Sequence, residues 1–221
     1  PLVKGKLGIT LSGFYQDDGG LYDYIDAASG NVVQENGDNY ERYGYAADLL
    51  WQVSDLLDLR LNYTHQSTEW AGAGFSFIDN NYDTVGERFT TAGNPNDIQN
   101  IKTDLFSGTI NYDFEWATLT YVSAYIESPK LFLVDQNSAG VMAFINSLPG
   151  HPTGTDTGFP TLTTTGYEKF VQEVRLTSAP SNTVEWLAGF YYTDEDAPTD
   201  AFATSTPSDW LIFNASTVDS Y

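Results

Sequence analysis

The feature that most constrains this chain is alternation. Residues 170 to 196 read "FVQEVRLTSAPSNTVEWLAGFYYTDED". Phe170, Gln172, Val174 and Leu176 share one parity before a turn, and Val184, Trp186, Ala188, Phe190 and Tyr192 share it afterwards; Val171, Glu173, Arg175 and Thr177, then Glu185, Leu187, Gly189 and Tyr191, fall on the other. Successive side chains of a β-strand leave on opposite sides, so period two marks a strand with two unlike faces. The stretch therefore reads as a hairpin with one greasy face and one largely polar face. What touches the greasy face decides the fold.

Five more segments repeat the pattern, making seven. About 3 to 15 sets Val3, Leu7, Ile9, Leu11 and Tyr15 against Lys4, Lys6, Thr10 and Ser12. About 41 to 53 sets Tyr43, Tyr45, Ala47, Leu49, Trp51 and Val53 against Gly44, Ala46, Asp48 and Gln52. About 57 to 68 opposes Leu57, Leu59, Leu61 and Tyr63 to Asp58, Arg60, Asn62 and Thr64. About 102 to 114 opposes Phe106, Ile110, Tyr112 and Phe114 to Ser107, Thr109, Asn111 and Asp113. The segment at about 117 to 127 is the weakest, with Leu119, Tyr121 and Tyr125 against Thr118, Thr120 and Val122. None has a 3.6-residue period, so no long helix is expected.

Pairing must keep apolar faces together. Val53 beside Leu57, across Ser54-Asp55-Leu56, sets Trp51 by Leu59, Leu49 by Leu61 and Asp48 by Asn62. Phe114 beside Ala117, across Glu115-Trp116, sets Tyr112 by Leu119 and Ile110 by Tyr121. Leu176 beside Val184 puts Arg175 opposite Glu185. These tight turns alternate with long connections, about 16 to 40, 69 to 101 and 128 to 166, rich in Gly, Asn, Asp, Thr and Pro. Short turns on one rim and long loops on the other is the asymmetry of an outer-membrane barrel.

A soluble sandwich also has one-sided sheets. Three features favour lipid. The strands are long enough to cross hydrocarbon when tilted. Aromatics gather at both strand ends, Trp51, Tyr112, Phe114, Trp116 and Trp186 on the short-turn side, Tyr15, Tyr43, Tyr63, Tyr125 and Tyr192 on the other. The opposite face carries Asp48, Arg60, Asn62, Asn111, Glu173 and Arg175, which suit a wet lumen and not a dry core. Sheets in hydrocarbon must close, and bacterial single-chain barrels have even strand numbers. Seven strands therefore predict an all-β fold, an open arc of a larger transmembrane antiparallel β-barrel. A secreted soluble β-sandwich that binds carbohydrate is the alternative. An autonomous small porin or adhesin barrel would need an even count.

Composition narrows the partners. The chain of 221 residues carries 30 acids against 9 bases, a net charge of -21. Nucleic acid is not expected as a partner, because phosphate binding needs clustered Lys and Arg. With no cysteine there is neither disulfide nor thiolate metal site. No run of 18 apolar residues supplies a spanning helix. The opening "PLVKGKLGIT" has neither signal-peptide pattern nor initiator Met, so the chain is expected to begin part-way through a longer protein.

With the strands placed, the sequence resembles the barrel of a TonB-dependent outer-membrane receptor. "PLVKGKLGITLSGFYQDDGGLYDY" resembles that family's early barrel stretch. Gln172, Glu173, Arg175 and Leu176, then Trp186, Gly189, Phe190 and Tyr191 before an acidic loop, resemble a mid-barrel hairpin common in these receptors. The resemblance implies a segment, over residues 1 to 221, of a 22-stranded barrel whose N-terminal plug and TonB-contacting box are absent here. It implies a bacterial outer-membrane receptor, not an enzyme, without cofactor, energised through TonB. Its partners would be outer-membrane lipid, its own plug, the TonB complex and a small cargo: an iron chelate such as a ferric siderophore, cobalamin or an oligosaccharide.

Catalytic patterns are sparse. His65 and His151 have no ligand-like spacing, and Gly72-Ala73-Gly74 lacks the setting of a phosphate loop. "DEDAPTD" at 194 to 200 reads as a solvated loop without the glycine-centred calcium pattern. Glu173, Arg175 and Glu185 are the candidate site residues, as an ion-pair network of the lumen wall or a contact that holds the plug. Aromatics in "FSFIDNNYD" and "LFLVDQ" are candidates for stacking on cargo.

Overall fold

The computed structural model describes residues 1–26, 29–72, 87–91, 93–136, 139–152, 156–180, 184–205 and 210–217. Its strands are β1 (Leu7–Asp18), β2 (Asp23–Ile25), β3 (Val32–Gln34), β4 (Tyr40–Gln52), β5 (Leu57–Ala71), β6 (Thr90–Thr91) and β7 (Ile98–Asp113). They continue with β8 (Ala117–Glu127), β9 (Lys130–Asp135), β10 (Pro160–Thr165), β11 (Glu168–Ser178), β12 (Leu187–Asp196), β13 (Thr199–Ser205) and β14 (Trp210–Thr217). One short helix, α1 (Ala139–Asn146), lies between β9 and β10.

The seven predicted segments are β1, β4, β5, β7, β8, β11 and β12, each antiparallel to the next. Trp51 faces Leu59, Leu49 faces Leu61 and Asp48 faces Asn62, as the matched faces require. Tyr112 faces Leu119 and Ile110 faces Tyr121. At the second tight turn Phe114 N donates to Ala117 O at 2.9 Å, and Glu115 takes a φ of 69° inside the two-residue loop. Among the described residues β1 pairs only with β4 and β12 only with β11, so the sheet is an open arc.

Two expectations are corrected. The first strand starts at Leu7, because the amides of Leu2 and Val3 both donate to Leu7 O and fold the leading residues into a turn. In the third hairpin Leu176 faces Ala188, not Val184, and Arg175 faces Gly189, not Glu185. Ser178 N donates to Trp186 O and Trp186 N to Ser178 Oγ, both at 2.9 Å, which leaves Val184 and Glu185 in a wider turn. The displacement is even, so every side chain keeps its face.

Strands absent from the sequence reading rise above the long-loop rim. β9 carries on from β8 past Ser128-Pro129, β10 leads into β11 through Gly166-Tyr167, and β12 leads into β13 through Ala197-Pro198. All three neighbours break at one level. Proline has no N–H for a ladder, and a β-carbon on Gly166 would sit 2.8 Å from Ser128 O, so only glycine admits the close approach. β14 extends this upper layer beside β13. A separate small sheet, in the order β3-β2-β6, joins the first and second long loops.

Covered apolar side chains are few among the described residues: Tyr24, Ala117, Met142, Ile145 and Ala203. On the apolar face Leu11 is 71% exposed, Leu61 54%, Phe106 53% and Phe190 65%. Leu57, Leu59 and Leu119 are half-buried by their neighbours in the same layer, and Ile110 is exposed. The sandwich alternative requires a second sheet over these residues, and none lies there among the described residues. At the short-turn rim Tyr112, Phe114, Trp116 and Trp186 form a continuous run with ring centroids 4.6, 6.0 and 6.2 Å apart.

Candidate functional site

The polar face of the arc is the surface with chemistry on it. Register carries Asp48, Asn62 and Ser107 across three strands in one row, and Leu50, Arg60 and Thr109 in the next. Arg60 forks onto Asp48, Nε to Oδ1 at 2.8 Å and a terminal nitrogen to Oδ2 at 2.6 Å. Asn111 donates to Asp58 at 3.0 Å and accepts from the Thr120 hydroxyl at 2.8 Å. Lys169 meets Glu195 at 3.0 Å. Charges on this face are matched between neighbours, the arrangement a water-filled surface tolerates.

Arg42 differs. It lies on the same face near the long-loop rim, one terminal nitrogen donating to Gln16 Oε1 at 2.8 Å, and its Nε is buried without an acceptor among the described residues. Its guanidinium stands 5.8 Å from the Phe14 ring centroid. Phe14 in turn covers Gly44, where a β-carbon would lie 2.7 Å from the ring. Gln16 donates to the Tyr40 hydroxyl, and Trp70 tilts against Tyr40 at 6.5 Å. A cation set among rings is disposed to hold an anionic or π-rich group. The signal for it was available, since Arg42 shares the parity of Asp48.

Carboxylates organise the loops above. Asp38 Oδ1 accepts from the amides of Leu21 and Tyr22, both at 2.6 Å. Tyr24, fully buried, packs against Gly37, Gly72 and Gly93, so it fastens the first long loop to the second. Asp97 Oδ1 accepts from Asp135 N at 2.8 Å, while Asp135 accepts from Phe159 N at 2.6 Å and from Asn94 Nδ2 at 3.0 Å, fastening the second to the third. Burial pushes the Asp97 carboxyl up to about 6, against the opposing pull of the Asp135 amide.

The predicted site residues divide. Glu173 and Arg175 are brought together, Nε to Oε1 at 2.9 Å along one strand and on the polar face. Glu185 is not brought to them; it is exposed in the turn. His65 Nδ1 lies 2.8 Å from Asp104 Oδ1, which also accepts from the Tyr63 hydroxyl at 2.6 Å, on the apolar face near the long-loop rim. His151 Nε2 approaches Asp156 Oδ2 at 3.0 Å and Ser205 Oγ at 3.3 Å in a buried junction below α1. Acid and hydroxyl both approach the same ring nitrogen there. Among the described residues no three His, Asp or Glu side chains are disposed to hold a metal ion. "LFLVDQ" forms β9 and its end, whereas Ala73, Gly74 and the whole of "FSFIDNNYD" lie outside the described residues.

No family model matches the chain, and no curated protein matches it either. A solved structure does: the ferric yersiniabactin uptake receptor FyuA from Yersinia pestis superposes with a TM-score of 0.68 at 15% identity, over 98% of this chain and 30% of that one. The shared feature is the fold. This chain matches about a third of an uptake receptor. At that identity no residue of the receptor's site is carried across, but the arc, end to end, has a counterpart in a larger structure.

Proposed function

We propose that this chain is a segment of the wall of an outer-membrane active-transport receptor for a scarce nutrient such as a ferric siderophore, energised through TonB. The observation that carries the reading is the arc itself: a single sheet with an uncovered apolar face, a charged opposite face and open edges, matched along 98% of its length by an uptake receptor. The apolar face meets lipid, the polar face lines the lumen, and the missing strands close the barrel. Long loops and the Arg42 region receive the cargo, whether iron chelate, cobalamin or oligosaccharide. Glu173 and Arg175 face the plug that fills the complete barrel, and Glu185 stays at the opposite, short-turn rim.

The test is iron-limited growth of cells lacking their own chelate receptors, complemented with the complete gene. Growth on a panel of ferric siderophores that disappears when TonB is deleted is the expected result. Growth on none of them, or growth independent of TonB, overturns the iron reading; uptake of cobalamin or an oligosaccharide instead would keep the receptor and change its cargo.

A further inference from the structure

The apolar face carries a groove with a charged lip, and neither is needed to form a barrel wall. Two rows of side chains cross the arc on this face. The upper row runs Leu11, Ala47, Tyr63, Phe106, Tyr125 and Phe170. In the lower row, Leu61 is followed by Gly108, Ser123 and Gln172, where bulk is missing. Between the rows lies an open cavity of about 440 Å³ with an almost wholly apolar lining. Leu61 closes it below, and Tyr63, Phe106 and Tyr125 overhang it, Tyr63 and Phe106 stacked at 4.4 Å.

Directly above the overhang, Asp104, Glu127, Glu168 and Asp196 stand opposite one another on four adjacent strands. Like charges directly opposite in a sheet repel. Asp104 is relieved by His65 and by the Tyr63 hydroxyl. Glu168 accepts from the Tyr125 hydroxyl at 3.0 Å, and Asp196 Oδ1 is buried with no hydrogen-bond partner among the described residues. No Lys or Arg shares the row. An apolar slot beneath a line of carboxylates is complementary to a chain-like tail beneath a cationic head.

We propose that this groove seats a lipid of the surrounding bilayer whose headgroup carries an N–H-bearing ammonium group, the acyl chain lying between the two rows and the ammonium donating to Glu127 and Glu168. The inference rests on the reading of the apolar face as lipid-facing. The three ammonium hydrogens distinguish such a head from a quaternary one, because charge-assisted hydrogen bonds to carboxylates need a donor. A phosphate-only head is repelled.

The test places the complete native protein in phosphatidylcholine vesicles containing EDTA, with trace spin-labelled phosphatidylethanolamine, phosphatidylcholine or phosphatidylglycerol. The motionally restricted fraction of each label is read by electron paramagnetic resonance. The expected order is ethanolamine over choline over glycerol, with ethanolamine favoured over choline by about threefold and the preference shrinking in 1 M salt, where screening acts within about 3 Å. Combining D104N, E127Q and E168Q should bring the ratio to about one, and Gly108→Leu should reduce the restricted fraction of every label by filling the slot. Equal restriction of the ethanolamine and choline labels overturns the proposal. So does a preference that survives the triple variant, or a glycerol preference that appears only when calcium replaces EDTA. Vesicle flotation separates the two failures: protein that does not float overturns the barrel reading, whereas protein that floats without headgroup preference overturns the seat alone.

Discussion

Gly72 passes so close to Tyr24 that a β-carbon on the glycine would overlap the phenol oxygen. Its φ of 68° lies in the left-handed region as well, where an L side chain costs about 1–2 kcal/mol. Both effects act on the joint between the first and second long loops. Gly72→Ala should therefore loosen that joint, while Gly93→Ala, whose β-carbon would meet Tyr24 at an ordinary 3.4 Å, should be nearly neutral. Amide exchange at Asp23 and Gly37, which donate to Phe89 O and Tyr22 O, is the measurement. Faster exchange in the first variant and not the second is expected; equal protection in both removes Tyr24 as the fastener.

A second joint should respond to pH. Asp97 titrates near 6 in the folded protein because burial disfavours its charged form. An ordinary Asp titrates at about 3.9, so between those values the folded state binds more protons than the unfolded one. Stability of the joint is then greatest below about pH 4 and falls as pH rises through about 6, by on the order of 1–3 kcal/mol. Exchange at the Asp135 and Phe159 amides, corrected for intrinsic rates, should be slower at pH 5 than at pH 8. Asp97→Asn keeps an acceptor for Asp135 N and should flatten this dependence; a slope that persists in the variant assigns it to another group.

The faces of the seven long strands were legible because each separates apolar from polar residues at period two, and pairing cannot mix the sides. Register was legible only where the turn was short. Ser54-Asp55-Leu56 and Glu115-Trp116 leave one solution, but Val184 and Trp186 continue the alternation into their turn. A pairing four residues away satisfied the faces equally well, and the pattern is blind to an even displacement. β9, β10, β13 and β14 were illegible for another reason. "PTLTTT" and "TDAFATS" are mostly small polar residues in both parities, and "KLFLVD" and "WLIFNAST" run apolar through both, so no alternating gradient sorts their side chains. Tyr24 was beyond reach because its cage joins glycines from separate loops. Arg42 was within reach: it continues the polar parity of its strand by one step.

The Glu173–Arg175 pair separates a wall contact from a transport contact. Both side chains are well exposed on the polar face, at 34% and 46%. An ion pair so placed contributes less than about 1 kcal/mol, so Glu173→Gln should hardly move the urea midpoint of the folded barrel. If this face meets a plug in the complete protein, the same variant is expected to lower the rate of cargo uptake at unchanged surface abundance. Uptake equal to the parent protein would confine the pair to the wall.

Face assignment itself is tested by two adjacent residues. Leu61 stands between Leu49 and Gly108 on the apolar side, and Asn62 between Asp48 and Ser107 on the polar side. If lipid covers the first and water the second, arginine must be costly at one and tolerated at the next. Near midplane Leu61→Arg should destabilise folding into vesicles by about 2–4 kcal/mol. Asn62→Arg enters the lumen beside Asp48, where an unlike charge already stands, and should change stability by less than about 1 kcal/mol. Urea titration of both variants in lipid vesicles gives the comparison. A water-soluble protein with this sheet would reverse the logic, since arginine at an exposed apolar surface position improves hydration and disturbs nothing. Only hydrocarbon on the leucine side makes neighbouring residues differ by that much, and equal costs at the two positions would mean that the sheet does not stand between lipid and water.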